Sequence, residues 1–350
     1  MKQDIIFETE IVNDEEVMIN QQYIGRLKGL KLELDLKVDT LDADVKSLKK
    51  AARQNVGPEI IKRIGQIIST GLIELKNDFK IYWNGNQIAK LIPGSDYLNP
   101  EIYLIIDEMI ENSEKLRLNS YLQNWINVKI ETELKSLIDL KNIKDNNSEL
   151  RALAYHLYEN NGVVKRDEVL KYLIKLNQEE RKKLRNLGVK FGRYHIFLYK
   201  LFKPSSVSLR ILLWKNFNEK NFEFLPPTFG LNFLEEKKVI NKNLMLLSGF
   251  EKFENLYVRI DILERLFLMI FNIKSEDKIK EIKLIPEMLN LLGCNKENFV
   301  KLIKKMNYKT YERDNNLYFK YTPLKKIIKK NSNKNVNDNP FNVLSQLNLK

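Results

Sequence analysis

The feature that most constrains this chain is a motif written twice. "NQQYIGRLKG" (Asn20 to Gly29) aligns with "NGNQIAKLIPG" (Asn84 to Gly94) at an offset of 64 residues. Each copy has a polar turn, an apolar–small–basic–Leu step and then a glycine. An extended stretch follows in each, "LKLELDLKV" in the first and "EIYLII" in the second. A long helical stretch closes each copy, Asp42 to Ser69 and Ser113 to Leu140. The extended stretches alternate with period two, and Asn84-Gly85 is a hairpin turn signal. The pattern predicts two small strand–strand–strand–helix units, a duplicated β-hairpin/helix module over residues 1–140.

"KNIKDNNSE" (Lys141 to Glu149) reads as a polar linker. Beyond it, residues 148–220 form a helical region with stretches at Leu150 to Asn160, Arg166 to Leu176 and Gln178 to Leu187. Asp167 and Asn177 stand where caps would start the second and third. Gly188 ends the helical pattern, Val189 to Leu201 reads as one extended segment rich in β-formers, and Pro204 opens another helix. Residues 221–330 make a C-terminal region that ends in a winged-helix-like order over 285–321. A short helix, Pro286 to Leu292, exits at Gly293. Asn295 caps a second helix whose apolar stripe is Phe299, Leu302, Ile303 and Met306. Lys301, Lys304 and Lys305 fall on a different face of that helix. A hairpin, Tyr308 to Tyr321, turns at Asn315-Asn316. The low-complexity tail, 331–350, reads as mostly disordered. The fold class expected is α+β and helix-rich.

Charge is uneven. Net charge is +13, yet Arg181 to Lys215 holds ten Lys/Arg and no acid, and Lys301 to Lys330 holds ten against two. Those segments account for +10 and +8, so the rest of the chain is net negative. Local positive charge is the footprint expected of a surface for a polyanion. Within the acid-free window, a strand over Val189 to Leu201 would have no cleanly polar face, so part of its composition is structural. Its cations cannot be buried unpaired. Lys190, Arg193, Lys200, Lys203 and Arg210 are therefore candidate phosphate contacts, with Phe191 or Tyr194 offering a face for a base. A membrane patch is disfavoured because it needs an amphipathic helix with one apolar face.

Catalytic chemistry is not written in the chain. Neither the nucleotide-hydrolase glycine loop nor the dinucleotide motif occurs. His156 lies in a mostly apolar helix and reads as a packing residue. His195 lies in the basic stretch, where phosphate contact and packing compete. Neither has the His or Cys neighbours of a metal site. Asp107-Glu108 and Glu235-Glu236 are sequence neighbours whose side chains diverge, so they make poor acid/base pairs. No catalytic residue, metal site or cofactor is assigned. The single Cys294 excludes a disulfide framework and a cysteine zinc site. The acidic N-terminus lacks a signal-peptide core, and the longest apolar run, Leu266 to Phe271, is far too short to span a bilayer. The expected location is the cytoplasm.

"LRNLGVKFGRYHIFLYKLFKPSSVSLRILLW" (Leu184 to Trp214) resembles a signature in the C-terminal half of bacterial DExH-type helicases, relatives of the mitochondrial RNA-degradosome helicase. Their pattern is matched by Leu184, Arg185, Leu187, Gly188, Val189, Phe191, Gly192, Leu198, Leu201, Lys203, Pro204, Leu209, Arg210, Leu212, Leu213 and Trp214. Tyr23 to Leu32, Ile81 to Ile102, Pro286 to Cys294 and the terminal Asn339 to Phe341 are similar to other segments of those proteins, in the same order. In that family two motor domains with the ATP-hydrolysing motifs precede this region, and none of those motifs occurs here. The resemblance implies an accessory half (a fragment, a split gene product or a free-standing derivative), with helicase activity only in an assembly that includes a motor, a neighbouring chain being one source of it. The expected function is nucleic-acid binding, RNA foremost, through Lys190, Arg193, Tyr194, His195, Lys200, Lys203, Arg210, Lys301, Lys304 and Lys305. The alternative is a protein-interaction scaffold whose charge is incidental.

Overall fold

The computed structural model describes residues 9–13, 15–19, 21–34, 42–220, 224–236, 241–277 and 281–322. The fold is α+β, with several small antiparallel sheets interspersed among helices. The chain divides into two compact units, residues 1–268 with 291–293, and residues 269–290 with 294–350.

The larger unit begins with the repeat. Strands β1 (Thr9–Val12), β2 (Glu16–Ile19), β3 (Gln22–Lys28) and β4 (Lys31–Leu34) form an antiparallel meander followed by helix α1 (Asp42–Thr70). Strands β5 (Ile73–Leu75), β6 (Lys80–Trp83), β7 (Asn86–Asp96) and β8 (Asn99–Leu104) form a second, followed by α2 (Asn112–Glu133) and α3 (Lys135–Lys141). Each copy thus has four strands rather than the three expected.

The correspondence holds pair by pair. In the first copy Glu16, Val17, Met18 and Ile19 face Arg26, Gly25, Tyr23 and Gln22. In the second, Lys80, Ile81, Tyr82 and Trp83 face Lys90, Ala89, Gln87 and Asn86, every number 64 higher. Both ladders carry a bulge at the same place, and the extra residue, Ile24 or Ile88, is buried in each. The two-residue turn between the strands needs left-handed backbone, and Gln21 (φ 65°) and Gly85 (φ 76°) both supply it.

Beyond this hairpin the offset becomes 70. Leu27↔Leu32 corresponds to Leu91↔Ile102, because the β7–β8 connection is six residues longer. The helices follow the new offset. Buried Ala52, Val56, Ile60, Ile64 and Ile67 of α1 correspond to buried Leu122, Ile126, Ile130, Leu134 and Leu137. These are helical-period stripes against each sheet. The second helix was expected to run unbroken to Leu140, but it breaks at Leu134 (φ −113°), and α3 then buries Leu137 and Leu140.

The extra length of the β7–β8 hairpin has a structural use. Its Asp96 carboxylate accepts from Lys141 Nζ at 2.5 Å and from the Tyr158 hydroxyl. Tyr158 lies on α4 (Ser148–Glu159), so the hairpin ties the repeat to the middle region. Asn147 caps α4, accepting from the amides of Glu149 and Leu150.

The middle region corrects two expectations. Arg166 to Leu176 was expected to be helical, with Asp167 as cap. Instead β9 (Val163–Lys165) precedes a single short helix, α5 (Leu170–Leu173), whose cap position is Val169. Val163 and Val164 are held as strand by pairing with Phe197 and Ile196. Helix α6 (Gln178–Asn186) begins at Asn177 as expected, with a capping box closed by Glu180. The expected strand Val189 to Leu201 is in fact a hairpin, β10 (Val189–Phe191) and β11 (His195–Leu198), followed by a 3-10 turn at Tyr199–Phe202. The sheet order is β10-β11-β9. Helix α7 (Pro204–Phe217) opens on Pro204. The rest of the larger unit holds β12 (Phe233–Glu235), α8 (Lys242–Leu247), β13 (Phe250–Phe253), β14 (Leu256–Arg259) and the first half of α9 (Ile260–Asp277).

The smaller unit contains β15 (Ile282–Lys283), all but the last two residues of α10 (Pro286–Leu292), α11 (Lys296–Lys305), β16 (Tyr308–Arg313) and β17 (Asn316–Tyr321). Its sheet order, β15-β17-β16, with two helices between the first and second strands in sequence, is the winged-helix order expected. Phe299, Leu302, Ile303 and Met306 are buried as the stripe predicted, and Phe319 meets Phe299 and Tyr308 edge-on. The hairpin turns one residue earlier than expected, at Asp314 (φ 49°) and Asn315 (φ 60°). The expected tail, 331–350, and the terminal Asn339 to Phe341 lie outside the described residues.

Candidate nucleic-acid interface

The acid-free window does have acids, supplied by the chain some 70 residues downstream. The amides of Arg193, Tyr194 and His195 converge on the Glu264 carboxylate of α9, from Tyr194 at 3.0 Å and from His195 at 2.7 Å. Three successive amides aimed at one point form an anion cradle, and here a side chain of the protein fills it. Gly192 makes this possible, since a Cβ there would lie 2.4 Å from the Glu264 carboxyl carbon and 2.7 Å from the His195 carbonyl. Glu264 therefore turns the expected single strand into a hairpin.

His195 continues the same clasp. It is 3% exposed, with Nδ1 3.3 Å from Glu264 and Nε2 3.4 Å from Glu251 of β13. Lys165 completes the row at 3.0 Å from Glu251. Burial by itself would disfavour the imidazolium, but the hydrogen bonds to Glu251 and Glu264 outweigh it and raise the His195 pKa above its ordinary value. Burial likewise acts against the Glu251 carboxylate, and His195 and Lys165 overcome it, leaving that pKa lowered.

Arg210 is 0% exposed. Its guanidinium donates to the carbonyls of Asn161 (2.9 Å), Leu201 (2.6 Å) and Leu247 (2.7 Å), three separate segments. Burial pushes its pKa down to about 10, so it stays charged at neutral pH. Arg210 and His195 are thus internal fasteners and not solvent-facing contacts, which corrects their expected placement. Tyr194 is half-buried, and its ring lies 4.2 Å from that of Phe267.

Of the window's other cations, Lys215 is also buried and Arg181 donates to the Leu173 carbonyl at 2.7 Å, whereas the remaining candidate contacts face solvent. Lys190, Arg193, Lys200 and Lys203 are exposed, and Lys190 lies over the Tyr199 ring at 5.1 Å. Arg185 lies over half-buried Phe191 at 5.6 Å. Lys200 and Lys203 open onto a cleft of about 360 Å³ shared with Lys135, Asn186, Glu133 and Asp139. Glu133 is engaged there by Ser205, and its carbonyl accepts from Ser206 at 3.0 Å.

In the smaller unit, Lys301, Lys304 and Lys305 are all exposed on α11, opposite its buried stripe. Lys296 on the same helix is paired with Glu312 of β16 at 2.6 Å. His156 is half-buried, with Nε2 3.2 Å from the Tyr172 hydroxyl. Among the described residues no group of three or more His, Cys, Asp and Glu is arranged to hold a metal ion, and no helix is long and apolar enough to cross a membrane.

Sequence reasoning missed Glu264, Glu251 and Lys135. Glu264 left a signal, being an acid within the buried stripe Ile260, Leu263, Phe267, Ile270. Lys135 left none. Comparison with protein families, with curated proteins and with solved structures returns no match to this chain.

Proposed function

We propose that the chain is a nucleic-acid-binding accessory region, RNA foremost, that grips a strand for a DExH-type motor. The observation that carries this reading is the second helix of the winged-helix-like unit. Lys301, Lys304 and Lys305 are exposed there, opposite the core stripe, on the element that meets nucleic acid in helix–turn–helix proteins. The exposed Lys190, Arg193, Lys200 and Lys203 of the larger unit add a second basic surface. The link to a DExH motor rests on the resemblance over Leu184 to Trp214.

The test is binding of labelled single-stranded RNA, double-stranded RNA and single-stranded DNA to the full chain at several salt concentrations. Phosphate binding gives affinity that falls linearly on log–log axes, by roughly 0.7 to 0.9 in slope per phosphate neutralised. RNA bound with a steep slope supports the reading. No binding at low salt, or binding that salt leaves unchanged, overturns it and favours a protein-interaction scaffold.

A further inference from the structure

The outer face of the C-terminal sheet carries a second kind of surface. Cross-strand partners share a face, and β16 and β17 pair Lys309↔Lys320, Tyr311↔Tyr318 and Arg313↔Asn316. The next strand adds Lys283, which pairs with Tyr318. The alternate residues, Ile282, Tyr308, Leu317 and Phe319, are buried, so they define the inner face. The outer face therefore presents two tyrosines with Lys283, Lys309, Arg313 and Lys320 around them. All four cations are exposed and both rings are half-buried.

The tyrosines are organised. Their rings lie 6.0 Å apart at 11°, an offset stack, and the Arg313 guanidinium lies 5.4 Å from the Tyr318 ring centre and 5.9 Å from that of Tyr311. Arg313 is itself positioned by Glu281 at 3.4 Å. Among the described residues of these strands no aliphatic side chain contributes to the outer face, so it does not resemble a surface waiting for a protein core. Flat rings ringed by cations match a different chemistry: bases with exposed π-faces joined by phosphates.

We infer that this sheet face is a stacking platform for single-stranded nucleic acid, with Tyr311 and Tyr318 holding bases and Lys283, Lys309 and Lys320 meeting the phosphates. The inference rests on the nucleic-acid reading above and adds a second site to it, on a different element from α11. A duplex cannot use the platform, because its bases are already stacked.

The experiment compares the full chain with Tyr311→Ala/Tyr318→Ala, Tyr311→Phe/Tyr318→Phe and Lys309→Gln/Lys320→Gln, using a uridine-rich RNA, a thymidine-rich DNA and an RNA duplex. The alanine pair is expected to weaken single-strand binding about tenfold or more and leave duplex binding unchanged. The phenylalanine pair keeps the rings and retains single-strand affinity. The glutamine pair lowers the single-strand log–log slope by about 1.4. In parallel, the native chain is photocrosslinked to 5-iodouridine RNA and the adducts are mapped, which needs no variant to fold. Adducts at Tyr311 or Tyr318 support the platform. Single-strand binding that the alanine pair leaves intact, with adducts confined to other residues, overturns it while leaving the broader reading standing. Absence of any binding by the native chain overturns both.

Discussion

The two basic regions have similar compositions and different fates. In Arg181 to Lys215 the fold draws part of the charge inward. Arg210 fastens three carbonyls, and Lys215 is buried with its ammonium 5.5 Å from the Phe79 ring centre. His195 and the amides beside it take Glu264 and Glu251. In the C-terminal unit, Lys301, Lys304, Lys305, Lys309 and Lys320 all stay outside. Size is the physical reason. The larger unit has enough interior to bury a guanidinium with its hydrogen-bond acceptors, whereas a small unit buries a smaller fraction of its surface and leaves less room for a desolvated cation. Charge density along a sequence is therefore not surface charge until internal fasteners are subtracted.

The largest test of that contrast is Arg210→Met. Three buried carbonyls would lose their donors, at about 1–3 kcal/mol for each left unsatisfied. A loss of about 3–5 kcal/mol in urea denaturation is expected, with no specific loss of RNA affinity in the folded fraction. A variant as stable as the native chain but weaker in binding would put Arg210 back on the surface.

Gly192→Ala should cost somewhat less, about 1–3 kcal/mol, because the added methyl must displace Glu264 or the hairpin backbone. Hydrogen exchange at the Arg193, Tyr194 and His195 amides should quicken in this variant. Unchanged protection there would show that Glu264 does not hold the turn.

The clasp also predicts a pH dependence. His195 has a raised folded pKa, so its contribution is complete below the ordinary 6.5 and is lost as pH rises through the higher folded value. Glu251 has a lowered folded pKa, so its contribution is present above the ordinary 4.5 and fades as pH falls through the lower folded value. Stability should therefore be greatest between those limits. His195→Gln should flatten the alkaline side of the profile, and an unaltered profile would remove His195 from the clasp.

Much of the fold was legible because local rules carried it. The repeat offset, the Asn84-Gly85 turn, the Asn177 and Asn295 caps and the α11 stripe all follow from neighbours in sequence. What failed was non-local. Val163 and Val164 became a strand because β11 lies beside them, and Val189 to Leu201 folded back because Glu264 sits in α9. The candidate site divided along the same line. Lys301, Lys304 and Lys305 could be placed from helix periodicity alone, whereas Arg210 and His195 could not be recognised as internal without the carbonyls and carboxylates that surround them.

The most direct test of the account measures RNA affinity against salt for two triple variants beside a denaturation curve for each. Arg193→Gln, Lys200→Gln and Lys203→Gln alter the larger unit, and Lys301→Gln, Lys304→Gln and Lys305→Gln alter the smaller. Surface substitutions of this kind should change stability by no more than about 0.5 kcal/mol each. Each triple should reduce the magnitude of the log–log slope by roughly 2 to 3, at about 0.7 to 0.9 for every phosphate no longer neutralised. Slopes identical to that of the native chain in both variants, with folding intact, would contradict the claim that these exposed cations bind a polyanion.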